Sequence, residues 1–171
     1  MRLLLLLVPL LLAACGLQPV YSGGSRGVAA VGLADVAVAP IADRAGYLMV
    51  GELRMRMGEP VAEPHFRLEV ELDDQILAFG IRGDNSVTRE RRTLRARYKL
   101  IRVASGAVVL DATATADAGI DRVSSDYAVV AAENTALERL STNLADQIVL
   151  RLALLARSGG LPAPPALPAT P

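Results

Sequence analysis

In FRLEVELDDQILAF, residues 66–79, Phe66, Leu68, Val70 and Leu72 alternate with Arg67, Glu69, Glu71 and Asp73. An apolar side chain at every second position is the pattern of a strand with one dry and one wet face. The stretch TRERRTLRARYKLIRV, residues 88–103, repeats it: Leu94, Ala96, Tyr98 and Leu100 share one face, and Arg91, Arg95, Arg97 and Lys99 the other, with Thr93 among them. Between the two lies GIRGDNS, whose glycines and Asp-Asn pair suit a reversal of the chain. Ala104-Ser105-Gly106 supplies a second turn. AVVLDATATAD then runs back with Val108, Leu110, Ala112 and Ala114 opposite Val109, Asp111, Thr113 and Thr115. The three strands form an antiparallel meander with one apolar face to cover.

The flanking segments provide the cover. Residues 28–38, loosely alternating Ala, Val and Leu up to Pro40, predict a further strand. Asp43 can cap a helix over 44–58, in which Met49, Leu53 and Met57 recur every four residues before Gly58 and Pro60 stop it. After the meander, Ser124 or Ser125 can cap a helix of about 30 residues ending at Ala156. Its stripe advances by threes and fours through Tyr127, Val130, Asn134, Leu137, Ser141, Leu144, Ile148, Leu152 and Leu155. At 1.5 Å per residue this helix reaches about 45 Å, longer than an ordinary strand, so one end is expected to protrude. Gly159 and Gly160 close it. The order β-α-β-β-β-α predicts an α+β domain: a four-stranded, mainly antiparallel sheet with two helices packed on one face. The core is expected to join Phe66, Leu68, Leu94, Tyr98, Val108 and Leu110 to Leu137, Leu144 and Ile148.

The ends of the chain are of a different kind. Arg2, the apolar run of residues 3–12 and Ala13-Ala14 have the parts of an export signal, too short to span a bilayer. Leu12-Ala13-Ala14-Cys15 resembles the bacterial lipobox, whose cysteine is lipidated and becomes residue one after cleavage. Cys15 is the only cysteine of the chain, so no internal disulfide competes for it. Residues 1–14 are thus assigned to a signal peptide, 15–27 to a lipidated tether containing Ser22-Gly23-Gly24-Ser25, 28–157 to one domain, and 158–171 to a disordered tail ending LPAPPALPATP. Loss of Arg2 leaves 17 basic and 18 acidic side chains. Such a balance excludes a nucleic-acid binder that works by bulk charge.

Little in the sequence can support covalent chemistry. His65 is the single histidine, and it stands beside Pro64 at the start of a strand. No phosphate loop, dinucleotide fingerprint, zinc-protease helix or nucleophile elbow occurs. Asp73-Asp74 and Asp84-Asn85 lack the ligand spacing of a calcium loop. The chain is therefore read as a non-enzyme without cofactor or metal. The feature that asks for a partner is the run over residues 82–102, with eight cations at 82, 89, 91, 92, 95, 97, 99 and 102 against Asp84 and Glu90. Five of them, Arg89, Arg91, Arg95, Arg97 and Lys99, face the wet side. Glu69, Glu71 and Asp73 on the preceding strand can neutralise three, leaving two readings open: a charge-paired sheet surface, or a seat for an anionic partner, since arginine's fork suits phosphate and carboxylate.

These parts together resemble the LptE family of lipopolysaccharide-assembly lipoproteins, in its alphaproteobacterial form. CGLQPVY, residues 15–21, is similar to the family's mature start Cys-Gly-Phe-x-Pro-Leu-Tyr, with Leu17 and Val20 as apolar departures. YAVVAAEN at 127–134 and NLADQIVLRL at 143–152 are similar to its closing helix, and the element order matches. The resemblance implies an outer-membrane lipoprotein on the periplasmic side, plugging an LptD-like β-barrel and binding lipopolysaccharide during its insertion into the outer leaflet. It carries over Arg91, Arg95, Arg97 and Lys99 only as a lipopolysaccharide-binding region. The rival readings are a periplasmic auxiliary lipoprotein of a lipid-transport ABC system and a structural envelope lipoprotein.

Cys15→Ala is expected to abolish metabolic labelling with a fatty acid and to release the protein from the membrane, while leaving the fold intact. Equal labelling of both proteins would refute the lipobox.

Overall fold

The computed structural model describes residues 27–81 and 87–161. The signal peptide, Cys15, the tether up to residue 26, the turn at 82–86 and the proline-rich residues 162–171 lie outside the described residues. Three helices and four strands follow in the order α1 (Val28–Ala34), β1 (Val36–Val38), α2 (Asp43–Met57), β2 (Phe66–Ile81), β3 (Val87–Arg102), β4 (Val108–Asp121) and α3 (Asp126–Arg157). The sheet order is β1-β2-β3-β4. β1 pairs in parallel with the first three residues of β2, Val36 opposite Phe66 and Val38 opposite Leu68. The other pairings are antiparallel. The protein is thus α+β with a mostly antiparallel four-stranded sheet, as its sequence predicts.

One expected element divides in two. Residues 28–38, read as a strand, begin as helix α1 and become strand only at Val36–Val38. Ala29, Gly32 and Leu33 stand three and four apart and are all buried, which is helical rather than strand spacing. The partner is distant in sequence: a Cβ built on Gly32 would lie 2.7 Å from Cβ of Ala156, so α1 meets the end of α3 almost backbone to backbone. The domain therefore has three helices instead of two, α2 and α3 against the sheet and α1 against the far end of α3. At α2, Ala42 and not Asp43 is the N-cap. Asp43 has φ +66° and its side chain caps nothing.

The core follows the alternation of the strands. Phe66 and Leu68 of β2, and Leu94, Ala96, Tyr98 and Leu100 of β3, are buried beneath Leu137, Leu140, Leu144, Ile148 and Leu152 of α3 and Met49, Leu53 and Met57 of α2. Burying one such large side chain contributes about 1.5–3 kcal/mol. β4 turns a row of small residues inward, Ala112, Ala114, Ala116 and Ala118, against which α3 lies. Two expected contacts fail. Val108 is 53% exposed, since a register shift between Leu100 and Ile101 pairs it with Ile101 and so turns it to the wet face. At the other end of α3, Tyr127 is 86% and Val130 52% exposed, and Val129 is the residue turned inward. The stripe holds from Leu137 onward.

β2 and β3 have 16 residues each, about 53 Å at 3.3 Å per residue. α3 has 32, about 48 Å. Helix and sheet are equally long, so the expected protrusion does not arise: the strands are longer than the ordinary strand assumed for it. Ser125 caps α3 by accepting from Ala128 N–H. At the other end Gly159, with φ +80°, lets its own N–H reach Ala156 O at 3.2 Å and that of Gly160 reach Leu155 O at 3.0 Å. Leu161, assigned with Ser158, Gly159 and Gly160 to the tail by composition, is buried. Polar ties fix α2 to α3 at both ends: Arg44 donates to Asn134 at 2.7 Å and Arg56 to Asp146 at 2.5 Å. The two helices consequently run parallel, 90 residues apart at each tie. No helix among the described residues is long and apolar enough to cross a membrane.

Leu144 is fully buried, and Leu144→Asp is expected to destabilise the domain by about 4 kcal/mol or more, because the charge has no partner. An unchanged thermal melt would show that this face of α3 is not packed. The glycines give a second check. Gly32→Val should cost about 1–3 kcal/mol by forcing α1 off Ala156. Gly51→Ala should stabilise by about 0.5–1 kcal/mol in the same melts, since its Cβ would meet nothing in the interior of α2.

Candidate functional site

The wet face of the sheet holds all four candidate cations, Arg91, Arg95, Arg97 and Lys99, on β3. Register puts a carboxylate of β2 straight across from three of them: Asp73 opposite Arg95, Glu71 opposite Arg97 and Glu69 opposite Lys99. β4 adds acids on the other flank, with Asp111 opposite Lys99, Asp117 opposite Thr93 and Asp121 opposite Arg89. Arg97 donates to Asp111 at 3.1 Å and Arg89 to Asp121 at 3.0 Å. The hydrogen bond from Arg97 holds the Asp111 carboxyl below its ordinary range. On β2, Glu69 pairs with Arg67 at 2.7 Å, and Gln75 donates to Asp73. Neither Arg95 nor Lys99 has an ion pair within 4 Å among the described residues.

Three carboxylates were missing from the sequence count. Among the described residues the face carries six cations, Arg67, Arg89, Arg91, Arg95, Arg97 and Lys99, and six acids, Glu69, Glu71, Asp73, Asp111, Asp117 and Asp121. The surplus inferred from two strands closes once the third is in place. The signal was present in the alternation of residues 107–117, which puts Asp111 on the same side as Thr113 and Thr115. What remains is a pattern: a central file of cations between two flanking files of acids.

The other cations of the run serve different ends. Arg92 points to the helix face and is nearly buried. It grips both oxygens of Asp74, at 2.8 and 2.5 Å, and donates to the carbonyl of Glu133 on α3 at 2.7 Å. The bond to Asp74 raises the guanidinium further above its already high range. Glu90, also buried on that face, accepts from Arg122 at 2.8 Å. Arg102 rests over the Phe66 ring at 5.1 Å. Beside Arg92 and Asp74 a cleft of about 510 Å³ opens between the start of α2, β2 and α3, lined also by Ile41, Arg44 and Leu72. It lies on the opposite side of the sheet from the candidate cations.

His65 has a structural partner. Its backbone N–H and its Nδ1 both donate to Oδ1 of the buried Asp35, at 2.9 and 2.8 Å, tying the start of β2 to the α1–β1 joint. Among the described residues no group of three or more His, Cys, Asp or Glu side chains is placed to hold a metal ion.

Comparison with known proteins agrees with this architecture. A crystal structure described as that of a lipoprotein from Caulobacter crescentus CB15 superposes with TM-score 0.64 and 25% identity, covering 77% of this chain and 97% of that one. The minor lipoprotein of Acinetobacter baumannii (TM-score 0.54, 13% identity, 70% and 88% coverage) shares the fold. So does rare lipoprotein B of Shewanella oneidensis (TM-score 0.53, 10% identity, 72% and 96% coverage). No curated protein matches the sequence. The family model described as LptE, lipopolysaccharide-assembly, matches residues 33–152, from the last turn of α1 to the final turns of α3. With the whole meander and most of its long covering helix inside that match, the chain belongs to the LptE family of lipopolysaccharide-assembly proteins.

Proposed function

We propose that this protein is the lipid-anchored subunit of an outer-membrane lipopolysaccharide translocon, standing as a plug in the lumen of an LptD-like β-barrel. The observation that carries the reading is the family match, which takes in the whole meander and most of α3. The physical form supports it. Barrel lumens are polar, and the uncovered face of this sheet presents alternating charges with no net excess. The domain is about 50 Å long, against a bilayer of about 40–45 Å including headgroups, so one copy reaches through the barrel wall's full height. Acyl chains on Cys15 hold the chain at the inner leaflet, where two or more chains give stable attachment. Lipopolysaccharide contacts the wet face through Arg91, Arg95, Arg97 and Lys99, whose charges compete for phosphates otherwise bridged in the packed leaflet. The protein works by binding and positioning, without a catalytic step.

Gentle extraction from outer membrane and affinity capture of the full chain should bring down a large β-barrel in about equal amount. Capture of a permease, or of peptidoglycan alone, would favour the ABC-auxiliary or the structural-lipoprotein reading and overturn this one. Within the complex, replacing Arg91, Arg95, Arg97 and Lys99 together by glutamine is expected to lower lipopolysaccharide binding and surface delivery. Barrel capture should persist, because exposed ion pairs contribute little to stability. Added salt should weaken the wild type more than the variant. Equal binding at low ionic strength would mean that the wet face is only a charge-paired surface.

A further inference from the structure

The sheet has an open edge where β1 stops. On β2 the even-numbered residues turn their backbone groups away from β3: Phe66 N–H donates to Asp35 O at 3.1 Å, and Leu68 O accepts from Ala39 N–H at 2.9 Å. β1 lies on that side, but it pairs only as far as Leu68, after which the chain passes through Pro40 to α2. The same parity continues along β2, whose pairing with β3 runs from Phe66 to Phe79 without a shift. The N–H and C=O groups of Val70, Leu72, Asp74 and Ile76 therefore point outward, and none has a hydrogen-bond partner among the described residues. A straight run of unpaired strand backbone is a template for another strand.

What borders this edge fits one kind of strand. The cleft of about 510 Å³ between β2 and the start of α2 lies against it, with Ile41, Val70, Leu72 and Leu137 among its walls. On the other face stand Glu71 and Asp73, both exposed and without an ion pair within 4 Å among the described residues. Beyond Arg67, β2 carries Glu69, Glu71, Asp73 and Asp74 and no cation. Side chains of adjacent strands that share a face lie next to one another. A strand added here thus sets apolar side chains over Val70 and Leu72, where the cleft opens, and lysine or arginine at alternate positions beside Glu71 and Asp73. A second copy does not supply it, because its other free edge, β4, is acidic too. Nor do residues 16–25 or 162–171 of this chain, which hold no lysine or arginine.

We propose that the edge of β2 from Val70 to Ile76 receives an extended, lysine- or arginine-bearing segment of another protein by strand addition. The outward backbone groups bond to the segment, its alternate apolar side chains enter the cleft, and its cations meet Glu71 and Asp73. This goes beyond the function proposed above and does not depend on it. The ligand is a peptide of positive charge, and it takes the border of the sheet instead of its face.

The probe is the fluorescently labelled peptide Lys-Val-Lys-Val-Lys-Val-Lys, titrated into the full mature chain in mild detergent. Its binding should slow amide exchange at Leu72 and Asp74 about tenfold or more. The amides of Glu71 and Asp73, which already face β3, should not change. Of two peptides N-methylated at alternate residues, the one that loses its inward N–H groups should bind about tenfold more weakly, and the other as well as the parent. Glu71→Gln with Asp73→Asn should weaken binding severalfold, and a peptide with glutamate for lysine should not bind. Ile76→Pro removes one outward N–H where an edge strand tolerates proline, and should also weaken binding. Thr115→Pro, the same change on the free edge of β4, should leave it unaltered. If Ile76→Pro does not fold, the methylated peptides decide the matter on the unaltered protein. Slowed exchange along β4 instead, equal binding by both methylated peptides, or no binding at all overturns the proposal. Leu72 and Asp74 amides protected before peptide is added would show the edge already filled, by this chain or a second copy, and overturn it too.

Discussion

Everything in this domain answers to one burial: a meander of three long strands has a single dry face, and α3 is the element long enough to cover it. The match is close, about 48 Å of helix over about 53 Å of strand. It also dictates composition. Large side chains on β2 and β3 fill the space under α2 and α3, while β4 carries inward alanines so that α3 can lie close to it. The uncovered face is then free to be polar. The short β1 and the α1 turn are consequences of the same arrangement, filling the corner left where β2 begins and α3 ends.

What could be read in the sequence was what depends on near neighbours. Period-two alternation identified β2, β3 and β4 because each strand has one wet face, and the four-residue recurrence of Met49, Leu53 and Met57 identified α2. Residues 28–34 were misread because Ala, Val and Gly suit either state. The deciding contact, Gly32 against Ala156, lies more than 120 positions away along the chain. The first turn of α3 was rotated in the reading because Tyr127 and Val130 continue an apolar spacing past the point where α2 stops covering the sheet. The basic strand was legible as a candidate site. Its neutralisation by Asp111, Asp117 and Asp121 depends on register, which a single strand does not reveal.

The distribution of charge has a meaning for the sheet's borders. β2 beyond Arg67 and the whole of β4 contain acids and no lysine or arginine, and the cations are kept on the inner strand β3. Both free edges therefore have the same sign. Two copies brought edge to edge repel each other, one of the means by which open sheets avoid unwanted pairing. A face with balanced charge and borders of one sign can stand in a confined polar space without adding strands from its own kind.

The contact of α1 with the end of α3 sets the path of mechanical load. A pull on the chain upstream of Gly27 enters the domain at α1, which is locked at Gly32 and Leu33 against Ala156 and the buried Leu161. From there it passes through the Asp35–His65 tie and the first rungs of β1 and β2. The hairpin's far end, some 50 Å away, feels none of this until those rungs give. A protein pulled from its N-terminal side would thus bear the load across its closed end, while the opposite end keeps its register.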